Sequence, residues 1–151
     1  MSKYEYPADY DCVWIASDRD GYIAAFITAG SGPIPINAFT PELQGIELIE
    51  QAIFQLPQVS EAKLFVQVPR PDSFIALATR GFYVYDWSDI HKTTSELNSA
   101  YELAAAPTNP IQWNTLPEPL SGLVNQVKFS DVAFVNLLSL DVYRQIECLT
   151  A

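Results

Sequence analysis

Two apolar runs joined by an Asp-Gly pair constrain this chain more tightly than any other feature. Cys12-Val13-Trp14-Ile15-Ala16 reads as one strand, Ser17-Asp18-Arg19-Asp20-Gly21 as a turn, and Tyr22 to Thr28 as a returning strand rich in aromatic and β-branched residues. Glycine tolerates the positive φ that a tight connection demands, so Gly21 marks where the chain reverses. A hairpin whose strands carry Val13, Trp14, Ile15, Tyr22, Ile23, Phe26 and Ile27 belongs in a central sheet, with Trp14 in the core or on its rim.

The remaining elements follow from periodicity and punctuation. Ala29-Gly30-Ser31-Gly32-Pro33-Ile34-Pro35 forms an irregular connection to a helix capped by Thr40, with Pro41 and Glu42 in its first turn. Leu43, Ile46, Ile49, Ile53 and Leu56 share one face of that helix, and Pro57 stops it. Lys63 to Val68 alternates as a half-buried strand, and Asp72 caps a short helix through Arg80 that Gly81 terminates in a left-handed conformation. Phe82 to Trp87 is a strand, and Tyr101 to Ala105 returns antiparallel to it. Thr115-x-x-Glu118 has capping-box spacing ahead of a short helix reaching Gln126, and Val127 to Phe129 and Val132 to Leu140 read as closing strands. Residues 1–151 are expected to form a single α+β domain, with a mostly antiparallel sheet and two or three helices packed on one face.

Composition narrows the functional classes. A chain of 151 residues, 49% hydrophobic and 17% charged, can bury roughly two-thirds of its unfolded surface and needs no disulfide or metal to fold. Its formal net charge of −10 repels phosphate and anionic lipid, which argues against nucleic-acid and membrane-surface binding and leaves a cationic partner open. Gly21 to Pro41 carries no charge, but Gly30, Gly32, Pro33 and Pro35 break it as a membrane span. The start has no apolar run of signal-peptide type, so a cytoplasmic location is expected, with Cys12 and Cys148 reduced and buried.

Tests for chemistry mostly fail. One histidine, His91, is too few for a typical zinc site. Asp86-Trp87-Ser88-Asp89-Ile90-His91 brings two carboxylates and an imidazole together, but no further ligand is near and a polar loop has that composition anyway. No strained serine signature supports a nucleophile for His91. Setting Gly21 at the sixth position of a calcium loop puts Ala16 first and Ile27 twelfth, where carboxylates are needed. Gly30-Ser31-Gly32-Pro33 lacks the Lys-Ser/Thr of a phosphate loop. No metal and no cofactor are expected.

Asp11 to Ala16, Gly21, Ala25 to Gly30 and Gly32 to Pro35 resemble a group of small bacterial proteins, and Gly81 to Asp86 with Tyr101-Glu102-Leu103 extends the likeness. Those proteins are similar to immunity proteins, which neutralise the toxins of interbacterial competition. The resemblance implies binding without catalysis, with a cognate toxin of basic surface as partner. Acidic composition is compatible with covering a cationic cleft. The expected binding residues are two polar turns that mix carboxylates with aromatics: Asp18, Asp20 and Tyr22, and Asp86, Trp87, Asp89 and His91. The alternative is a small enzyme or ligand-binding domain with a pocket near Gly30 to Pro35 and His91.

Overall fold

Gly21 does reverse the chain, at φ +88°, and joins β1 (Val13–Asp18) to β2 (Ile23–Ile27) in antiparallel register. The computed structural model describes residues 12–29, 32–38, 46–69, 71–87, 100–142 and 148–149, with backbone alone for 46–48 and 149. The other elements are β3 (Ile34–Pro35), α1 (Ile46–Phe54), β4 (Ala62–Leu64), α2 (Asp72–Ala78), β5 (Tyr83–Asp86), β6 (Tyr101–Pro107), α3 (Leu120–Gln126), β7 (Lys128–Phe129), β8 (Ser139–Leu140) and β9 (Cys148–Leu149).

The main sheet runs β4-β6-β5-β2-β1-β7, and β8 pairs with β6. Its strands β1 and β2 are interior, as the hairpin residues require. The sheet is mixed rather than mostly antiparallel, because β2 pairs parallel with β5 and β1 parallel with β7. A parallel neighbour needs a long crossover, and the segment from β2 to β5 supplies one through α1, β4 and α2.

Strand alternation sorts the core into two layers. Val13, Ile15, Ile23, Ala25, Ile27 and Val84 pack with Ile49 and Ile53 of α1, Leu77 of α2 and Leu123 of α3, so all three helices share one face. Trp14, Ala24, Phe26, Tyr83 and Tyr85 turn to the other face, under Ile34, Phe134, Leu140 and Val142. In β6 the alternation slips. Tyr85 faces Leu103 and Val84 faces Ala105, which leaves Ala104 as an extra residue and moves Ala105 to the helix face after Tyr101 and Leu103 faced away from it.

Several local expectations change. Asp72 is the first helical residue of α2, and Pro71 precedes it at the cap position without a side-chain bond. The Thr115–Glu118 box does not form: Thr115 Oγ1 donates to Gln112 O, Glu118 accepts from Ser121 Oγ, and α3 starts only after Pro119. Lys63 to Val68 forms strand only at Ala62–Leu64, as a sheet edge with Leu64 39% exposed, because Pro69 and Pro71 lie just beyond. Val132 to Leu140 is a 3₁₀ turn at Phe134–Asn136 followed by β8. Thr40, Pro41, Glu42 and Leu43 lie outside the described residues.

Candidate functional site

At the hairpin end of the sheet, the first of the two expected turns is built around Asp18. This side chain is 1% exposed, so it belongs to the interior and not to a partner-facing surface. Its Oδ1 accepts from the backbone N–H groups of Asp20 at 2.9 Å and Tyr22 at 3.0 Å, and its Oδ2 accepts from Phe134 N–H at 2.9 Å. A buried carboxylate is tolerable only with such donors. Asp at the end of a strand, three residues before the turn glycine, is the short side chain able to fold back on those amides. The turn is thereby tied to itself and to the segment that follows β7, where Arg19 N–H also donates to Val132 O at 2.9 Å.

Around this locked turn stand the exposed groups. Asp20 points to solvent, where Arg19 reaches it at 3.3 Å. Tyr22 is half-buried and bridges in antiparallel fashion to Gln112, whose amide donates to Asp20 O at 3.0 Å. Trp113, 39% exposed, donates its backbone N–H to Gly21 O and lays its ring over Gly21, where an added Cβ would lie 3.2 Å from Trp113 Cδ1. Gly21 is thus required twice, for its positive φ and for the indole above it. Sequence reasoning missed Gln112 and Trp113. The available signal was a tryptophan set among polar residues in Gln112-Trp113-Asn114, where a core role has no apolar neighbours to support it on either side.

Below this surface Tyr83 lies close to Asp18. Burial first, and then the Asp18 carboxylate, hold the Tyr83 hydroxyl above the ordinary tyrosine value. Tyr85 is raised further in the same direction, by burial first and then by Tyr83 and Asp18. Both phenols are therefore neutral at physiological pH, and Tyr85 Oη donates to Leu137 O at 2.7 Å.

The second expected turn is at the far end of the sheet. Asp86 pairs with Ile27 at the end of β2, whereas Asp18 sits at the beginning of the connection into β2. Five residues of β2 at about 3.3 Å each separate the two ends by roughly 15 Å, so the turns do not form one surface patch. Asp86 is 9% exposed and Trp87 is 7% exposed. Trp87 packs on the Tyr101 ring at 5.1 Å between centroids, so it is a core residue and not an exposed anchor. Asp89 and His91 lie outside the described residues.

In the described part of the alternative pocket the packing is tight. Gly32 lies so tightly against Tyr101 and Trp87 that an added Cβ would be 2.5 Å from Tyr101 Oη and 2.8 Å from Trp87 Cγ. Ile34 beside it is fully buried. Gly30, like Asp89 and His91, lies outside the described residues.

Among the described residues, no group of three or more His, Cys, Asp or Glu side chains is arranged to hold a metal ion, and no helix is long and apolar enough to cross a membrane. No protein-family model, no curated protein and no solved structure matches the chain.

Proposed function

We propose that this chain is a non-catalytic binding protein of the immunity type, acting in the cytoplasm, which neutralises a cognate protein toxin by covering a basic cleft. The observation that carries the reading is the hairpin end of the sheet, where exposed Asp20 stands beside Tyr22 and Trp113 on a turn held by the buried Asp18 carboxylate. A turn ordered before encounter spends little of its binding energy on ordering, and Trp and Tyr are the side chains that most often anchor an interface. The Arg19–Asp20 pair is exposed, at 56% and 49%, and weak, so a cation of the partner can displace Arg19 from Asp20. Net charge of −10 adds long-range attraction toward a cationic cleft and speeds association.

The gene immediately upstream provides the test. A large secreted protein with a variable C-terminal domain is expected there, and that domain, purified, should bind this chain and lose its toxicity on binding. Asp20→Lys should slow association and weaken its salt dependence, whereas Trp113→Ala should speed dissociation. A metabolic operon at that locus contradicts the reading, as do unchanged rates for both variants at low ionic strength.

A further inference from the structure

A cavity lies between the chain that follows α1 and the 111–116 segment, which also carries Gln112 and Trp113. It measures about 130 Å³ and is walled by Leu56 and Val59 after α1 and by Ile111 and Leu116 beside α3, with Thr115 and Arg80 at its polar side. That volume is close to the roughly 150 Å³ of an apolar cavity able to take benzene, so the body it fits is a branched alkyl group of a few carbons or a single ring.

Arg80 is the informative residue. Its Nε donates to Leu56 O at 3.1 Å, Nη1 to Ala76 O at 2.8 Å and Nη2 to Phe54 O at 3.4 Å, which ties together the C-terminal ends of α1 and α2. These acceptors are neutral carbonyls. Among the described residues the one ion pair is Arg19–Asp20, so Arg80 has no carboxylate partner there, in a chain with 18 acids against 8 bases. A guanidinium carries five N–H donors, and three committed donors leave one on each terminal nitrogen. No carboxylate lines the cavity. The site therefore combines an apolar chamber with spare guanidinium donors on a cation that no carboxylate neutralises among the described residues and whose Cζ lies 5.2 Å from the Phe54 ring centroid. The overall negative charge does not cancel this local arrangement, because exposed charges farther than about 10 Å are screened.

We propose that this cavity binds a small monocarboxylate with a branched-alkyl or phenyl body, its carboxylate on Arg80 and its body against Leu56, Ile111 and Leu116. Thr115 Oγ1 already donates to Gln112 O, so its role is to border the head group rather than to donate to it. The proposal is independent of toxin binding.

Titration of the intact protein with 3-methylbutanoate and benzoate, followed through the methyl resonances of Val59, Ile111 and Leu116, tests it against the matched neutral amides. The expected result is saturable shifts confined to the cavity, with the amides weaker by about tenfold or more. Val59→Trp, at a position 41% exposed, closes the mouth without touching the Arg80 bonds and should abolish binding while leaving the thermal midpoint near that of the parent. Absence of saturable shifts, equal affinity for amide and carboxylate, or undiminished binding in a folded Val59→Trp protein would each overturn the proposal.

Discussion

The helix-covered face of the sheet is packed by Ile15, Ile23, Ile49 and Leu123, and the opposite face by Trp14, Phe26, Tyr85 and Tyr101. This difference follows from what covers each face. Helices satisfy their own backbone, so the layer beneath them needs only shape and apolar area. The other face is covered by short 3₁₀ turns and irregular chain, whose carbonyls and amides need partners once buried. Aromatic residues with polar tips provide both. Trp14, Phe26 and Tyr85 stack across β1, β2 and β5, with centroid separations of 4.0 and 5.1 Å. From that stack Tyr85 Oη donates to Leu137 O at 2.7 Å, while Trp14 Nε1 donates to Tyr101 Oη, which donates in turn to Pro33 O at 2.9 Å. Asp18 completes the set by accepting from Phe134 N–H. The irregular cover is thus pinned by side chains where regular structure would pin itself.

The largest effect that separates the two faces is expected from Trp14→Ala, at about 3–5 kcal/mol, against about 0.5–1.5 kcal/mol for Ile15→Val on the helix side. Urea unfolding of both variants checks this, and equal midpoints would erase the contrast. Asp18→Ala strands buried amides and should cost about 3 kcal/mol, whereas Asp18→Asn keeps an acceptor oxygen and should cost less. Matching losses for the Ala and Asn variants would show that the amides do not depend on that oxygen.

Tyr85→Phe should cost about 1 kcal/mol through the lost bond to Leu137 O, and it also carries a pH signature. The folded protein holds Tyr85 and Tyr83 above their ordinary value, so it keeps protons that the unfolded chain releases. Stability from these groups is therefore complete below about pH 10 and declines as pH rises beyond it. Thermal midpoints measured from pH 8 to 11 should fall less steeply for Tyr85→Phe than for the parent; parallel slopes would contradict the assignment. The smallest effect is expected at the exposed rim, where Asp20→Lys should change stability by less than about 0.5 kcal/mol and act only on partner association. A larger loss would mean that Asp20 supports the turn itself.

Much of this architecture is legible in the sequence, for identifiable reasons. Strand and turn residues at Val13 to Ile27 act over short range, and so do Gly81 with φ +96° and the Ile49–Ile53 face of α1. Sheet direction is set by crossovers, which local pattern does not report, and the parallel β2–β5 pair was hidden for that reason. The inward turn of Asp18 was hidden likewise. Its third donor, Phe134, is 116 residues away, and an Asp in a polar turn looks the same whether it faces water or a buried amide. Trp87 misled in the same sense, because a polar neighbourhood in sequence concealed its packing on Tyr101.

Native-state hydrogen exchange in Asp18→Ala, which removes both carboxylate oxygens, tests the pinned cover most directly. The amides to compare are Phe134, which donates to Asp18, and Thr79, which donates to Ile75 O on the helix-covered side. The account predicts that Phe134 and Tyr22 exchange about tenfold faster or more in the variant, while Thr79 changes only by the global loss of stability. Equal acceleration at Phe134 and Thr79, or none at Phe134, would contradict the claim that side chains hold the irregular face in place.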